Sequence, residues 1–185
     1  KFTGERPNAD GPPTQVSIGL FVFDVDAIND ATQTYGIDMF ITVNWNDPRL
    51  ALPKRKRDGL IRRVPKEAVW VPRGLIINDR GLSRMLPETV EIDDKGNASL
   101  QQRVIGDLAV DLNFTDFPYD VQLLPVDLVS YANTTREVEF IINEKLSGHD
   151  GEFSIEGWEL TLLEPKLNKF RVTEDGAERP RVTFV

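Results

Sequence analysis

Apolar residues in this chain recur at every second position, and hardly anywhere at helical spacing. Val16, Ile18, Leu20 and Val22 form one such set, and Met39, Ile41, Val43 and Trp45 a second. Val104, Gly106, Leu108, Val110 and Leu112 form a third, Val138, Phe140 and Ile142 a fourth, and Trp158, Leu160 and Leu162 a fifth. Successive side chains of a strand point to opposite faces, so each set predicts a strand with one buried face. Turn formers fall between the sets: Asp47-Pro48, Asp58-Gly59, Lys95-Gly96-Asn97, Ser147-Gly148 and Asp175-Gly176. Short strands at this spacing predict an all-β chain, an immunoglobulin-like β-sandwich of about ten strands. Residues 29–33 and 79–86 have the composition for short helical turns. Residues 1–14, rich in Pro, Gly and charge, read as a leader or linker, which leaves 15–185 as one domain.

Composition narrows the chemistry. The 185 residues include 40% hydrophobic and 28% charged side chains, enough for one sizeable core. No apolar run approaches the roughly 18 residues a membrane helix needs, and no basic–apolar signal segment opens the chain. A net charge of −8 argues against nucleic acid as a partner. It suits a surface that meets cations, or one that is simply kept soluble. With no cysteine, disulfides, thiol nucleophiles and cysteine metal sites are excluded. His149 is the single histidine, which rules out His-pair zinc motifs. Enzymatic hydrolysis would therefore fall to carboxylates. A β-sandwich glycosidase or lectin would need two inward-facing acids about 5–10 Å apart, and nothing in the sequence calls for such a pair.

One side chain breaks the pattern. Opposite the buried set Met39, Ile41, Val43 and Trp45, the other face of the second strand reads Asp38, Phe40, Thr42, Asn44 and Asn46. Phe40 is the one large apolar residue on that face. An exposed aromatic is often incidental, but a subunit interface or a ligand also accounts for it.

Three motifs then appear in order: Trp45-Asn46-Asp47 followed by Pro48-Arg49-Leu50, Trp70-Val71-Pro72, and Phe117-Pro118-Tyr119-Asp120. Each is weak alone. Together, on a β-rich chain, they resemble the extracellular ligand-binding domain of pentameric ligand-gated ion channels, the Cys-loop receptor family, over about Val16 to the end. They match that family's Trp-x-Asp signature, its Trp-x-Pro segment before binding loop A, and the Phe-Pro-x-Asp core of its Cys-loop. Trp45 and Trp70 also read as core anchors, and Pro118 as a residue shaping a tight turn. The family's two half-cystines would fall at Val110 and Leu124; their absence is characteristic of prokaryotic members.

The resemblance implies a nicotinic-receptor-like fold, no catalytic residues, and a homo-pentamer that takes a small-molecule or ion effector between subunits. It implies a membrane-spanning partner domain outside this chain, and a periplasmic or extracellular position on a bacterial inner membrane. A stand-alone soluble binding protein of the same fold is the alternative. Phe40 would supply the aromatic of strand position D and Tyr131 that of loop B. Phe170 would lie in loop C, taken as residues 167–179, with Arg73, Leu75 and Ile76 in loop A and Arg103 on the strand supplying position E. Loop F would cover residues 145–151. Aromatic rings attract a cationic amine by about 0.5–2 kcal/mol each. An arginine-lined pocket built on Arg73 or Arg103 suits a carboxylate instead; the sequence leaves both open. Asp30, Phe117, Pro118 and Asp120 match the family's coupling positions at the membrane end. Gln33 stands where proton-gated relatives carry a glutamate, and an amide cannot titrate. Asp93, Asp94, Glu88, Glu91 and Asp150 offer oxygens for calcium, which takes about six to eight, although adjacent acids are commonly just solvated turns. No other cofactor is expected.

Overall fold

The computed structural model describes residues 3–56, 58–117 and 119–185; Pro118, expected at the coupling end, lies outside them. The described residues form twelve strands in two sheets. The larger sheet runs β10 (Gly148–His149), β1 (Thr14–Asn29), β2 (Thr34–Asn46), β7 (Asn97–Ala109), β6 (Thr89–Ile92) and β3 (Arg62–Pro65). In addition β9 (Val138–Ile142) pairs in parallel with β1, and β5 (Ser83–Arg84) pairs with β7. The smaller sheet runs β11 (Lys166–Phe170), β12 (Arg179–Phe184), β8 (Val126–Ser130) and β4 (Gly74–Ile76). Because β5 and β10 are two residues each, ten longer strands carry the fold, an all-β sandwich as the alternation predicts.

The apolar faces meet between the sheets. Val16, Ile18, Leu20, Met39, Val90, Leu108 and Val138 of the large sheet, and Val182 and Phe184 of the small one, belong to a single buried cluster. Trp45 and Trp70 lie within it, ring centroids 6.2 Å apart and edge to face. Val110 is buried and Leu124 packs against the same cluster, so the positions of the absent half-cystines are apolar packing sites.

β1 shows why its alternation changes phase. Val16, Ile18, Leu20 and Val22 are buried at even positions, and the next buried residue is Val25. A register shift against β2 between Val22 and Asp24 accounts for this, because one extra residue flips every later side chain to the other face.

Three local expectations are revised. Residues 158–162 form no strand: Trp158, Leu160 and Leu162 are half-buried and Glu159 and Thr161 exposed, but the segment belongs to no ladder. The alternation there records which side faces the core, not a pairing partner. Residues 79–86 hold no helical turn; Asp79 bridges to Leu108 and Ser83–Arg84 add to β7. Residues 29–33 form a tight hydrogen-bonded turn, with Asn29 Oδ1 accepting from the Ala31 and Thr32 amides at 3.1 Å each. Ahead of β1, residues 6–14 wrap around the buried Arg6 guanidinium, which donates to the carbonyls of Pro12, Ala9 and Gly11 at 2.7–2.9 Å.

Candidate effector-binding and coupling site

The residues expected at the binding site divide between the two sheets. On the outer face of the large sheet, Phe21, Phe40 and Arg103 stand in one cross-strand row. Phe40 is not isolated: Phe23 packs edge to face on it at 5.0 Å and on Phe21 at 5.2 Å. Arg103 lies over the Phe23 ring at 5.4 Å and grips Asp38 through Nε and Nη2, at 3.0 and 2.6 Å. That carboxylate holds the guanidinium pKa above its ordinary value, and it offsets the charge that would attract an anion. The sequence hides Phe21 and Phe23 because Leu20-Phe21-Val22-Phe23 is apolar at every position, so alternation cannot separate its faces.

Residues of the expected loop F border this row. Gly148 pairs with Phe21. The turn Glu144–Leu146 lies close against β1 because Gly19 has no side chain; a Cβ there would sit 2.6 Å from Leu146 Cβ.

The other set gathers on the small sheet. Leu75 pairs with Val129 and Ile76 with Leu128 across β4 and β8. The Tyr131 amide donates to the Arg73 carbonyl at 3.2 Å, tying the ends of loops A and B together. Tyr131 and Leu75 are both about half exposed. Phe170 pairs with Arg179 across β11 and β12, and Arg181 pairs with Val129 on β8. Arg179 and Tyr131 lie just past the ends of the β12–β8 ladder, which closes at Arg181 and Val129. Arg179 was not singled out by its sequence, where it marked only the end of loop C. Its Nη1 is buried without a hydrogen-bond partner among the described residues. Glu178 bridges the hairpin, accepting from Lys169 Nζ at 2.8 Å and Arg171 Nη2 at 2.6 Å. Those two cations hold its pKa below the ordinary glutamate value.

At the end where β1 turns into β2, Gln33 adopts a left-handed backbone (φ 52°). Its carbonyl accepts from the Val110 amide at 3.0 Å and its Oε1 from the Leu112 amide at 2.8 Å. Its Nε2 donates to the Asp30 carbonyl at 2.8 Å. One side chain thus ties the β1–β2 turn to the limb leading into 113–123. Asp30 is exposed, and the half-buried Asp120 accepts from Gln122 Nε2 at 2.5 Å. Phe117, Tyr119, Val121 and Leu123 are 73%, 90%, 84% and 57% exposed, an apolar display that a free surface does not explain.

The acids considered for calcium are taken up locally. Asp93 accepts from the Lys95 and Asn97 amides, Asp94 from the Gly59 amide, Glu88 pairs with Lys66 and Glu91 with Arg63. Asp150 follows β10, its amide bonded to Val22. No group of three metal-ligating side chains comes together among the described residues, and no helix among them is long and apolar enough to cross a membrane.

Residues 3–176 match the family model described as the neurotransmitter-gated ion-channel ligand binding domain. A proton-gated ion channel of Gloeobacter violaceus is 22% identical over 154 residues, covering 83% of this chain and 43% of the relative. The chain thus spans less than half the length of that curated relative. A family match over nearly the whole chain, on a two-sheet sandwich bearing the Trp-x-Asp, Trp-x-Pro and Phe-Pro-x-Asp landmarks, makes this protein a member of the neurotransmitter-gated ion-channel ligand-binding domain family, a receptor module and not an enzyme.

Proposed function

We propose that this domain is the effector-sensing part of a pentameric ligand-gated channel, taking its effector between subunits and passing the signal to a membrane-spanning pore. The observation that carries the reading is the division of the candidate residues. Phe40 and Arg103 occupy the large sheet; Arg73, Leu75, Ile76, Tyr131 and Phe170 belong to the small sheet or the loops at its end. Two cavities of the single chain, one beside Trp45 and one between the sheets, are lined by none of these seven. A closed site built from both sets needs a second copy, and a closed ring of copies satisfies every subunit equally. The Gloeobacter relative's name, a proton-gated ion channel, supports a channel context. In that context the domain lies on the outer side of the bacterial membrane. The exposed Phe117, Tyr119, Val121 and Leu123 then meet the membrane domain, with Asp30 and Asp120 as coupling acids.

The effector class favoured is a small anion, a carboxylate foremost. Arg103 is neutralised by Asp38 and already covers Phe23, so it serves as a wall. Arg179, with its orphaned Nη1, and Arg73, whose carbonyl accepts from the Tyr131 amide, make no ion pair among the described residues. Planar guanidinium groups match carboxylates in a two-point fork. Electrical recording from membranes carrying the gene product, with acetate and succinate as probes, tests this. Arg179→Ala is expected to right-shift the response at least tenfold and Phe40→Ala several-fold. Unchanged responses in both variants would remove the interface site.

A further inference from the structure

Between the sheets, at the end bearing residues 121–124, lies a cavity of about 220 Å³; Val121 and Leu123 of the coupling end border it, and none of the binding residues above does. Leu20, Val22 and Ile37 of the large sheet, Phe184 of the small sheet, and Leu160 and Leu162 from the unpaired segment line it. The space is a half-open pocket: Val121 and Leu123 at its mouth are exposed, while its deep wall is made of buried core side chains, which ordinarily pack with few voids larger than a water.

The lining chemistry says what such a space holds. The Tyr35 hydroxyl donates to the Pro125 carbonyl at 2.7 Å. Gln122 Nε2 donates to the Asn113 carbonyl at 2.7 Å and its Oε1 accepts from the Asn113 amide at 3.0 Å. The remaining polar wall residues, His149, Glu159 and Thr161, are exposed and belong to the rim. A water inside needs two to four polar partners, and the polar groups at depth are already engaged; an apolar cavity of about 150 Å³ stays dry and takes up benzene.

The wall is anchored on one side and loose on the other. Phe153 lies against His149, with ring centroids 5.4 Å apart. The neighbouring Ser154 donates its amide and hydroxyl to Asp24 on β1, both at 2.6 Å. Residues 159–162 border the cavity with no ladder, and Leu163 is held by its amide to the Val185 carbonyl at 2.7 Å. An entering molecule therefore has a wall that can give.

We propose that this cavity is a second ligand site, within one subunit, for a small neutral apolar molecule about the size of a single aromatic ring. It does not depend on the interface reading, because neither Phe40 nor Tyr131 lines it. Where that reading holds, the occupant touches 121–124 at the coupling end and acts as a modulator.

Toluene is the probe, and the 185-residue chain is the sample. At several times its dissociation constant, toluene is expected to raise the melting temperature by about 2–4 °C. The same rise is expected in Phe117→Ser, which trims the exposed apolar surface outside the cavity. In Leu160→Trp, which fills the cavity, it should vanish while the cooperative melt remains. A rise that persists in Leu160→Trp, or none in the unaltered chain, overturns the proposal. Should Leu160→Trp fail to fold, nuclear Overhauser contacts from toluene to the Val22, Ile37 and Leu160 methyls of the unaltered chain decide the matter; their absence contradicts the site. Because these readouts need no neighbouring subunit, either result leaves the interface site to stand or fall by its own test.

Discussion

Trp45 and Trp70 show what their motifs do at the level of single residues. Both indoles are buried edge to face in the core, and the fully buried Asp47 accepts from the Arg49 amide, Nε and Nη2 at 2.8–3.1 Å. The first and third positions of Trp-x-Asp are thus a core anchor and a loop brace. Trp45→Ala should cost about 3–5 kcal/mol of stability, read as a lower urea midpoint with an unchanged slope. A loss below about 1 kcal/mol would show the indole to be dispensable to packing. Phe40 was legible from the sequence because a lone aromatic interrupts a polar face. Its companions Phe21 and Phe23 were not, because a bulge that shifts phase leaves no mark in a run that is apolar on both sides. Arg179 is illegible for another reason: a cation at the start of a strand reads as solvated, and only packing shows its Nη1 buried without a partner among the described residues.

Two elements carry predictions of their own. The β11–β12 hairpin is braced by Glu178 between Lys169 and Arg171. Since the folded carboxylate titrates below its ordinary value, the brace is complete at neutral pH and is lost only as pH falls through that lowered value. Carbon-13 shifts of Glu178 should report a depressed midpoint, and Glu178→Gln should abolish the acid-dependent loosening of the hairpin. A midpoint at the ordinary glutamate value would show the brace to be absent in solution. At the opposite end, Gln33 fastens the β1–β2 turn to residues 110–112. Gln33→Ala should speed hydrogen exchange of the Leu112 amide by about tenfold, the weight of one net hydrogen bond; unchanged protection would place the fastening elsewhere. Strand existence was readable wherever alternation and a partner coincide, as in β1, β2, β7 and β9. It failed at 158–162 because facing the core and finding a ladder are separate conditions, and sequence reports only the first.

Across the whole molecule, the candidate effector residues fall in two groups, one on the large sheet and one at the small sheet and its loops, which the proposed site joins across a subunit boundary. The sandwich was predictable from periodicity, and the family from three short motifs. The engagement of Arg103 by Asp38 and the cavity between the sheets arise from packing and register, which no single stretch encodes. The central claim is that the Phe40 face of one subunit meets the Tyr131 end of the next. The natural chain has no cysteine, so Phe40→Cys and Tyr131→Cys introduce the only thiols within it. A short bismaleimide added to the double variant in the membrane-bound gene product should give a ladder of covalent species ending at five subunits, and neither single variant should give it. A double variant that stays monomeric on a denaturing gel, or closes only within one chain, would contradict the account.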